Sequence, residues 1–274
     1  MREVIVRFPA HALDDVLDRI LPIVPDGVRE APAPRGQVEL RMIGPHLPPL
    51  RDIAQAVRPG VGGMGFQISE RAVADDWRER RLADYQAHPI AGRLVVRPPW
   101  APTPPEEMID IVLQEGGAFG AGTHPTTRKC LELMLTMAPG GAFADLGCGS
   151  GVLAILAGLL GFSPLTAVDV QPGSVDATRV NAARAGVAVQ AGLADLSREP
   201  APLAASFVAN VPPEVHAGIA SSWRDAPEPR IGLLSGFGPA DADPVVAFYA
   251  ECGFSEVCRH AEHGWVVSEM SRPR

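Results

Sequence analysis

Among its 274 residues the chain has four cysteines, and no two of them form a Cys-x-x-Cys pair. Cys130, Cys148, Cys252 and Cys258 follow one another at spacings of 18, 104 and 6 positions. That pattern gives neither the close thiolate pairs of a zinc knot nor the density of a disulfide-stapled scaffold, so no metal centre is expected. Long apolar runs are also missing: no stretch reaches the roughly 18 residues that span a bilayer. The opening Met1-Arg-Glu-Val-Ile-Val-Arg-Phe8 carries charges where a secretory leader needs apolar residues, so the expectation is a soluble, cytoplasmic protein. Positive charge is in deficit, with 24 Lys and Arg against 32 Asp and Glu and a formal charge of −8. This disfavours direct binding to a nucleic-acid backbone and favours a basic or neutral partner. Lysine is reduced to Lys129 alone; with the abundance of Arg, Ala, Pro and Gly this matches GC-rich codon usage and carries no functional weight. The 28 Gly and 28 Pro are scattered along the chain, which excludes a low-complexity tract.

The residues present fall into two patterns. Residues 4–8 read as a strand and 11–21 as a helix with Leu13, Val16, Leu17, Ile20 and Leu21 on one face. Extended pieces near 27–31 and 37–43, a helix over 47–57 and a strand at 65–69 complete a βαββαβ order, that of a small ferredoxin-like unit. Residues 73–86 alternate charges without breakers and suit an exposed linking helix. Arg93–Arg97 reads as a strand, and Pro98-Pro-Trp-Ala-Pro-Thr-Pro-Pro105 is a loop because proline fixes φ and lacks the amide donor. From residue 109 onward strands and helices alternate. Strands are expected at 109–113, 143–146, 165–170, 188–191, 206–210 and 231–235, and helices at 127–137, 152–160, 173–185, 213–222 and 241–252. Residues 255–260 and 264–269 form a closing antiparallel pair. The fold class implied is α/β, a mainly parallel Rossmann-like sheet with helices on both faces. The expected domains are a small α+β unit at 1–70, a linking segment at 71–105 and the main domain at 106–274.

Ligands in such a sheet bind at the carboxyl ends of the strands, where the informative motif lies. Asp145-Leu-Gly147-Cys-Gly149-Ser-Gly151 follows a strand and opens a helix. Glycines there let the backbone approach a ligand, and the helix N-terminus offers oriented amide donors. Asp169 ends the next strand, 18 residues past Gly151, where a carboxylate can accept both hydrogen bonds of a ribose diol. The dinucleotide fingerprint Gly-x-Gly-x-x-Gly would need its third glycine at position 152, which is Val152. The register instead resembles the nucleoside-binding loop of class I methyltransferases, which use S-adenosylmethionine.

Two further segments narrow the resemblance. Gly117-Ala-Phe-Gly-Ala-Gly-Thr-His-Pro-Thr-Thr127 with the following Arg-Lys-Cys-Leu-Glu-Leu, and Asp76-Trp77 through Gly92-Arg-Leu-Val-Val-Arg-Pro-Pro-Trp100, are similar to the methyltransferases of ribosomal protein 11 of the large subunit. Val208-Ala-Asn210 and Leu234-Ser-Gly236 agree with it. The resemblance covers about residues 76–269 and places cofactor contacts on Thr127, Gly147, Asp169 and Asn210. Gly149, Gly151 and Asp145 join them through the loop, Phe119 by packing against the cofactor or filling the core, and Asp195 by meeting the adenine amino group or standing as a loop acid. Thr126 or Thr127 suits a helix N-cap. For chemistry the candidates are Asn210, one of only two asparagines, and His124, read either as a general base or as a brace of its glycine-rich turn. The Asn210-Val-Pro-Pro-Glu order is displaced by one residue from the Asn-Pro-Pro-aromatic loop of several N-methyltransferases. Glu115-Gly-Gly replaces the family's Asp-Pro-Gly, and Ala121 replaces a threonine.

The resemblance implies an enzyme that methylates α-amino or lysine amines of that ribosomal protein, with the small domain presenting the substrate. A monomer without direct nucleic-acid or membrane contact is expected. Two alternatives stay open at this point: a small-molecule N- or O-methyltransferase on the same fold, and a noncatalytic nucleotide-binding protein.

Overall fold

Alternation of Val4, Val6 and Phe8 with Glu3, Ile5 and Arg7 gives the first strand, β1 (Arg2–Pro9), one apolar and one polar face. In the computed structural model, which describes residues 2–24, 28–34, 36–44, 46–72, 87–114, 122, 124–224, 226 and 228–273, the chain divides into units Met1–Tyr85 and Gln86–Arg274. In the first unit β1 is an inner strand of an antiparallel sheet of order β2-β3-β1-β4, with β2 (Arg29–Ala33), β3 (Gln37–Gly44) and β4 (Gln67–Ala72). Helices α1 (Leu13–Ile20) and α2 (Leu50–Gly60) cover the apolar face, burying Val16, Ile20, Ile53 and Val57 against Val4, Val6, Leu40 and Met42. This is the expected ferredoxin-like order. On the other face Glu3 pairs with Arg71, and Glu39 sits between Arg7 at 2.5 Å and Arg41 at 2.6 Å. The hydrogen bond from Arg7, with Arg41 beside it, holds the Glu39 carboxyl below its usual pKa. The helix expected over 73–86 lies outside the described residues.

The second unit begins with a sheet of its own, β5 (His88–Ile90), β6 (Leu94–Arg97) and β7 (Ile109–Val112). The strand expected at 109–113 is β7, which runs parallel to β6 in this sheet and not in the main one. Arg97, a buried guanidinium, forks onto Asp110 at 2.8 and 2.7 Å and donates to the carbonyl of Ala101, closing the proline-rich loop between the two strands.

The main sheet has the order β10-β9-β8-β11-β12-β14-β13. Strands β8 (Phe143–Leu146), β9 (Leu165–Asp169), β10 (Gln190–Leu193), β11 (Ser206–Asn210) and β12 (Ile231–Phe237) are parallel. Strands β13 (Ser255–Glu262) and β14 (Trp265–Ser271) are antiparallel and close it. One face packs on α3 (Pro125–Met134), α4 (Val152–Leu159) and α5 (Pro172–Arg184), with Leu131, Met134, Ile155, Leu156 and Ala182 in its core. The other packs on α6 (Pro213–Ser222) and α7 (Pro239–Ala250), around Phe207, Ile219, Trp223 and Tyr249. The α/β class is as expected. Strand β10 begins two residues later than its apolar run suggested, since Gln190 is the first residue in register with β9, opposite Thr166.

Candidate functional site

The sheet reverses direction of growth at β8, which has β9 on one side and β11 on the other, and such a switch point opens a crevice at the carboxyl ends. The glycine loop fills that position. Gly147, Gly149 and Gly151 all have positive φ, at 81°, 51° and 80°. At two of them a side chain has no room as well: a Cβ on Gly147 would stand 2.3 Å from Val211 Cγ1, and one on Gly151 2.9 Å from the Thr178 side chain. Only glycine satisfies both conditions. The amides of Gly147 and Cys148 both donate to the Val168 carbonyl, at 2.8 and 3.0 Å, which ties the turn to β9.

Asp169 ends β9 and is half-buried. Its Oδ2 accepts from the Gly149 amide at 3.0 Å and its Oδ1 from Gln171 at 2.9 Å. A carboxylate offers about four lone-pair positions, so two such bonds leave capacity for a diol. Asp145 is fully buried beneath the loop, where Oδ2 accepts from the Ala154 amide at 3.0 Å in the first turn of α4. Burial pushes its carboxyl up to about 7, and among the described residues its Oδ1 has no hydrogen-bond partner. The structure thus places Asp145 behind the loop as its support, while Asp169 stands at the crevice.

Across the crevice, Asn210 at the end of β11 donates from Nδ2 to Thr127 Oγ1 at 3.5 Å, joining two predicted residues 83 positions apart. The N-cap of α3 is His124, not Thr126 or Thr127: Pro125 occupies the first helical position, where its fixed φ starts the helix and its missing donor costs nothing. The His124 ring accepts from the Thr126 amide at 3.4 Å and meets Trp265 edge-on, with centroids 4.8 Å apart. Burial lowers its pKa to about 4, so the ring is neutral near pH 7. Its place as N-cap, accepting from the helix amide, supports the bracing role.

Asp195 follows β10 but turns back on its own chain, accepting from the Ser197 amide and hydroxyl, and these bonds lower its pKa. Phe119 lies outside the described residues. Three supports escaped the sequence reading. Thr178 Oγ1 donates to the Gly149 carbonyl at 3.2 Å, and Asn181, the other asparagine, donates to the Ser150 carbonyl at 2.9 Å while accepting from the Gln114 amide at 3.0 Å. Fully buried His216 holds the Ser235 carbonyl and the Tyr249 hydroxyl, each at 3.0 Å. Polar residues on the inner side of a helix are the only signal that could have revealed them.

The family model described as ribosomal protein L11 methyltransferase (PrmA) matches residues 52–273. The ribosomal protein L11 methyltransferase of Burkholderia multivorans is 38% identical over 201 residues, 72% of this chain and 65% of that protein. The one from Burkholderia orbicola is 36% identical over 229 residues, 83% and 75% of the two chains. Among solved structures, ribosomal protein L11 methylase from Lactobacillus delbrueckii subsp. bulgaricus superposes with a TM-score of 0.61 at 25% identity, covering 69% of this chain and all of that one. The chain spans about 65% of the length of the first of these relatives. With four-fifths of its residues inside the family model, the chain belongs to the ribosomal protein L11 methyltransferase (PrmA) family.

Proposed function

We propose that the protein is an S-adenosylmethionine-dependent N-methyltransferase whose substrate is ribosomal protein L11, a basic or neutral partner for an acidic chain. The observation that carries the reading is the pairing of Asn210 with Thr127 across from Asp169 and the glycine loop, at the carboxyl ends of neighbouring parallel strands. The donor set fits the cofactor: Asp169 has acceptor capacity for the ribose diol, and the loop presents backbone where side chains are excluded. When bound, S-adenosylmethionine supplies a sulfonium methyl group as electrophile.

The chain's own task is then alignment. With Nδ2 of Asn210 turned to Thr127, the amide presents Oδ1 as acceptor to an incoming amine and directs the amine lone pair. An α-amine of pKa about 7.7–8.0 has a neutral fraction at pH 7, whereas lysine near 10.4 must lose its proton on entering the site. No covalent residue is required. The family membership favours L11 over a small-molecule acceptor and over a noncatalytic nucleotide binder. None of the described helices is long and apolar enough to cross a membrane. On this reading the protein is a cytoplasmic monomer that acts on L11 without direct nucleic-acid contact. Calorimetric titration with S-adenosylmethionine tests the cofactor half: saturable one-to-one binding is expected, and absence of binding at millimolar ligand would reject it. Transfer of labelled methyl groups to L11 tests the other half.

A further inference from the structure

Away from the glycine loop, three side chains of different ligand chemistry converge on the β13–β14 hairpin. Ligating atoms of Cys258, His260 and Glu269 all lie within 4.8 Å of one another, and His260 Nε2 is 2.7 Å from Glu269 Oε1. Cys258 is exposed and the other two are half-buried, so an ion from solvent can reach them.

The convergence depends on one irregularity in the ladder. Ser255 pairs with Ser271 and Glu256 with Met270, a register that would set Val257 opposite Glu269. A shift between Glu256 and Cys258 takes up one residue, so that Cys258 faces Glu269 and His260 faces Val267. Residues directly opposed in an antiparallel pair share a face, as do residues i and i+2 of one strand. The bulge therefore exchanges an apolar valine for a thiol beside the carboxylate and places the imidazole next to both. Arg259, between them, points to the other face and pairs with Glu256 and Asp243.

We propose that Cys258, His260 and Glu269 form a binding site for a divalent ion of the zinc type, its fourth position taken by water. Thiolate, imidazole and carboxylate are the three donor classes that zinc accepts, at about 2.0–2.3 Å in a tetrahedron. Donor atoms so arranged stand roughly 3.3–3.8 Å apart. Rotation of the exposed Cys258 side chain towards the half-buried pair closes the 4.8 Å span, and the ion takes the place of the His260–Glu269 hydrogen bond. On binding, the Cys258 thiol gives its proton to solvent and its sulfur forms the metal bond; thiolate and carboxylate together balance the two positive charges. A sulfur donor selects against magnesium and calcium, which take oxygen ligands. The ion would clip β13, an outer strand with a single ladder partner among the described residues, to β14.

The test uses the untagged full chain stripped of metal and titrated with Co2+ and then Zn2+. One equivalent of Co2+ should produce a thiolate-to-cobalt charge-transfer band with the visible spectrum of four-coordinate cobalt, and Zn2+ should displace it and raise the melting temperature. Cys258→Ser should abolish the charge-transfer band; Glu269→Gln, which leaves the thiol in place, should weaken Zn2+ binding by more than about tenfold. The remaining cysteines, Cys130, Cys148 and Cys252, are buried and provide no exposed substitute. Absence of a stoichiometric band in the wild-type chain, a band that survives in Cys258→Ser, or Zn2+ affinity unchanged in Glu269→Gln would overturn the proposal.

Discussion

Oδ2 of Asp169 accepts the amide hydrogen of Gly149 at 3.0 Å, so the acid that ends β9 also holds the loop that follows β8. One side chain thereby couples two expected parts of the cofactor site, the ribose acceptor and the backbone cradle. Asp169→Ala should weaken S-adenosylmethionine binding by about 1–3 kcal/mol, the cost of removing hydrogen bonds to a charged acceptor. Calorimetric titration measures this, and unchanged affinity would show that the ribose does not lie at Asp169.

Gly147→Ala meets two penalties: a φ of 81° and a Cβ placed 2.3 Å from Val211 Cγ1. The backbone term alone is about 1–2 kcal/mol, so denaturant unfolding should show a loss above that. In the double variant with Val211→Ala the collision is relieved while the backbone term stays, and stability should recover in part. Full recovery, or none, would contradict this division.

His124 caps α3 and is neutral near pH 7. His124→Ala should cost about 0.5–2 kcal/mol of stability, as for other lost N-caps, and leave the shape of the pH–rate profile unchanged. A collapse of kcat together with loss of an ionisation from that profile would restore the general-base reading.

Two buried groups set opposite pH dependences. Burial lowers His216 from 6.5 to about 4, so the fold favours its neutral form; the stability it contributes is complete above 6.5 and is lost as pH falls towards 4. Burial raises Asp145 from 3.8 to about 7, so the fold favours the protonated form, and that contribution is lost as pH rises from 3.8 through 7. Unfolding of Asp145→Asn across this range should show a steeper gain of stability with rising pH than wild type, and His216→Gln a shallower one. Parallel curves for all three chains would contradict both assignments.

Legibility differed with how local the determining interaction is. Strands β8 and β11 and helix α6 stand at 143–146, 206–210 and 213–222, as their short apolar runs and flanking Gly, Asn and Pro residues indicate. The glycine loop and Asp169 were legible for the same reason. The sheet of β5–β7 was not, because its parallel ladder joins segments separated by the proline-rich loop, across which Arg97 reaches Asp110. The N-cap was misplaced by weighing threonine hydroxyls above the proline that starts the helix. The grouping of Cys258, His260 and Glu269 was invisible, and the absence of Cys-x-x-Cys argued against any metal site. A one-residue bulge decides whether valine or cysteine faces Glu269, and no linear spacing encodes that.

The most direct test of the account is transfer of labelled methyl groups from S-adenosylmethionine to purified ribosomal protein L11, followed by mass spectrometry of the product. Methyl increments are expected on α-amino or lysine nitrogens of L11, strongly reduced with Asn210→Ala. An enzyme that binds S-adenosylmethionine with intact affinity and leaves L11 unlabelled would contradict it.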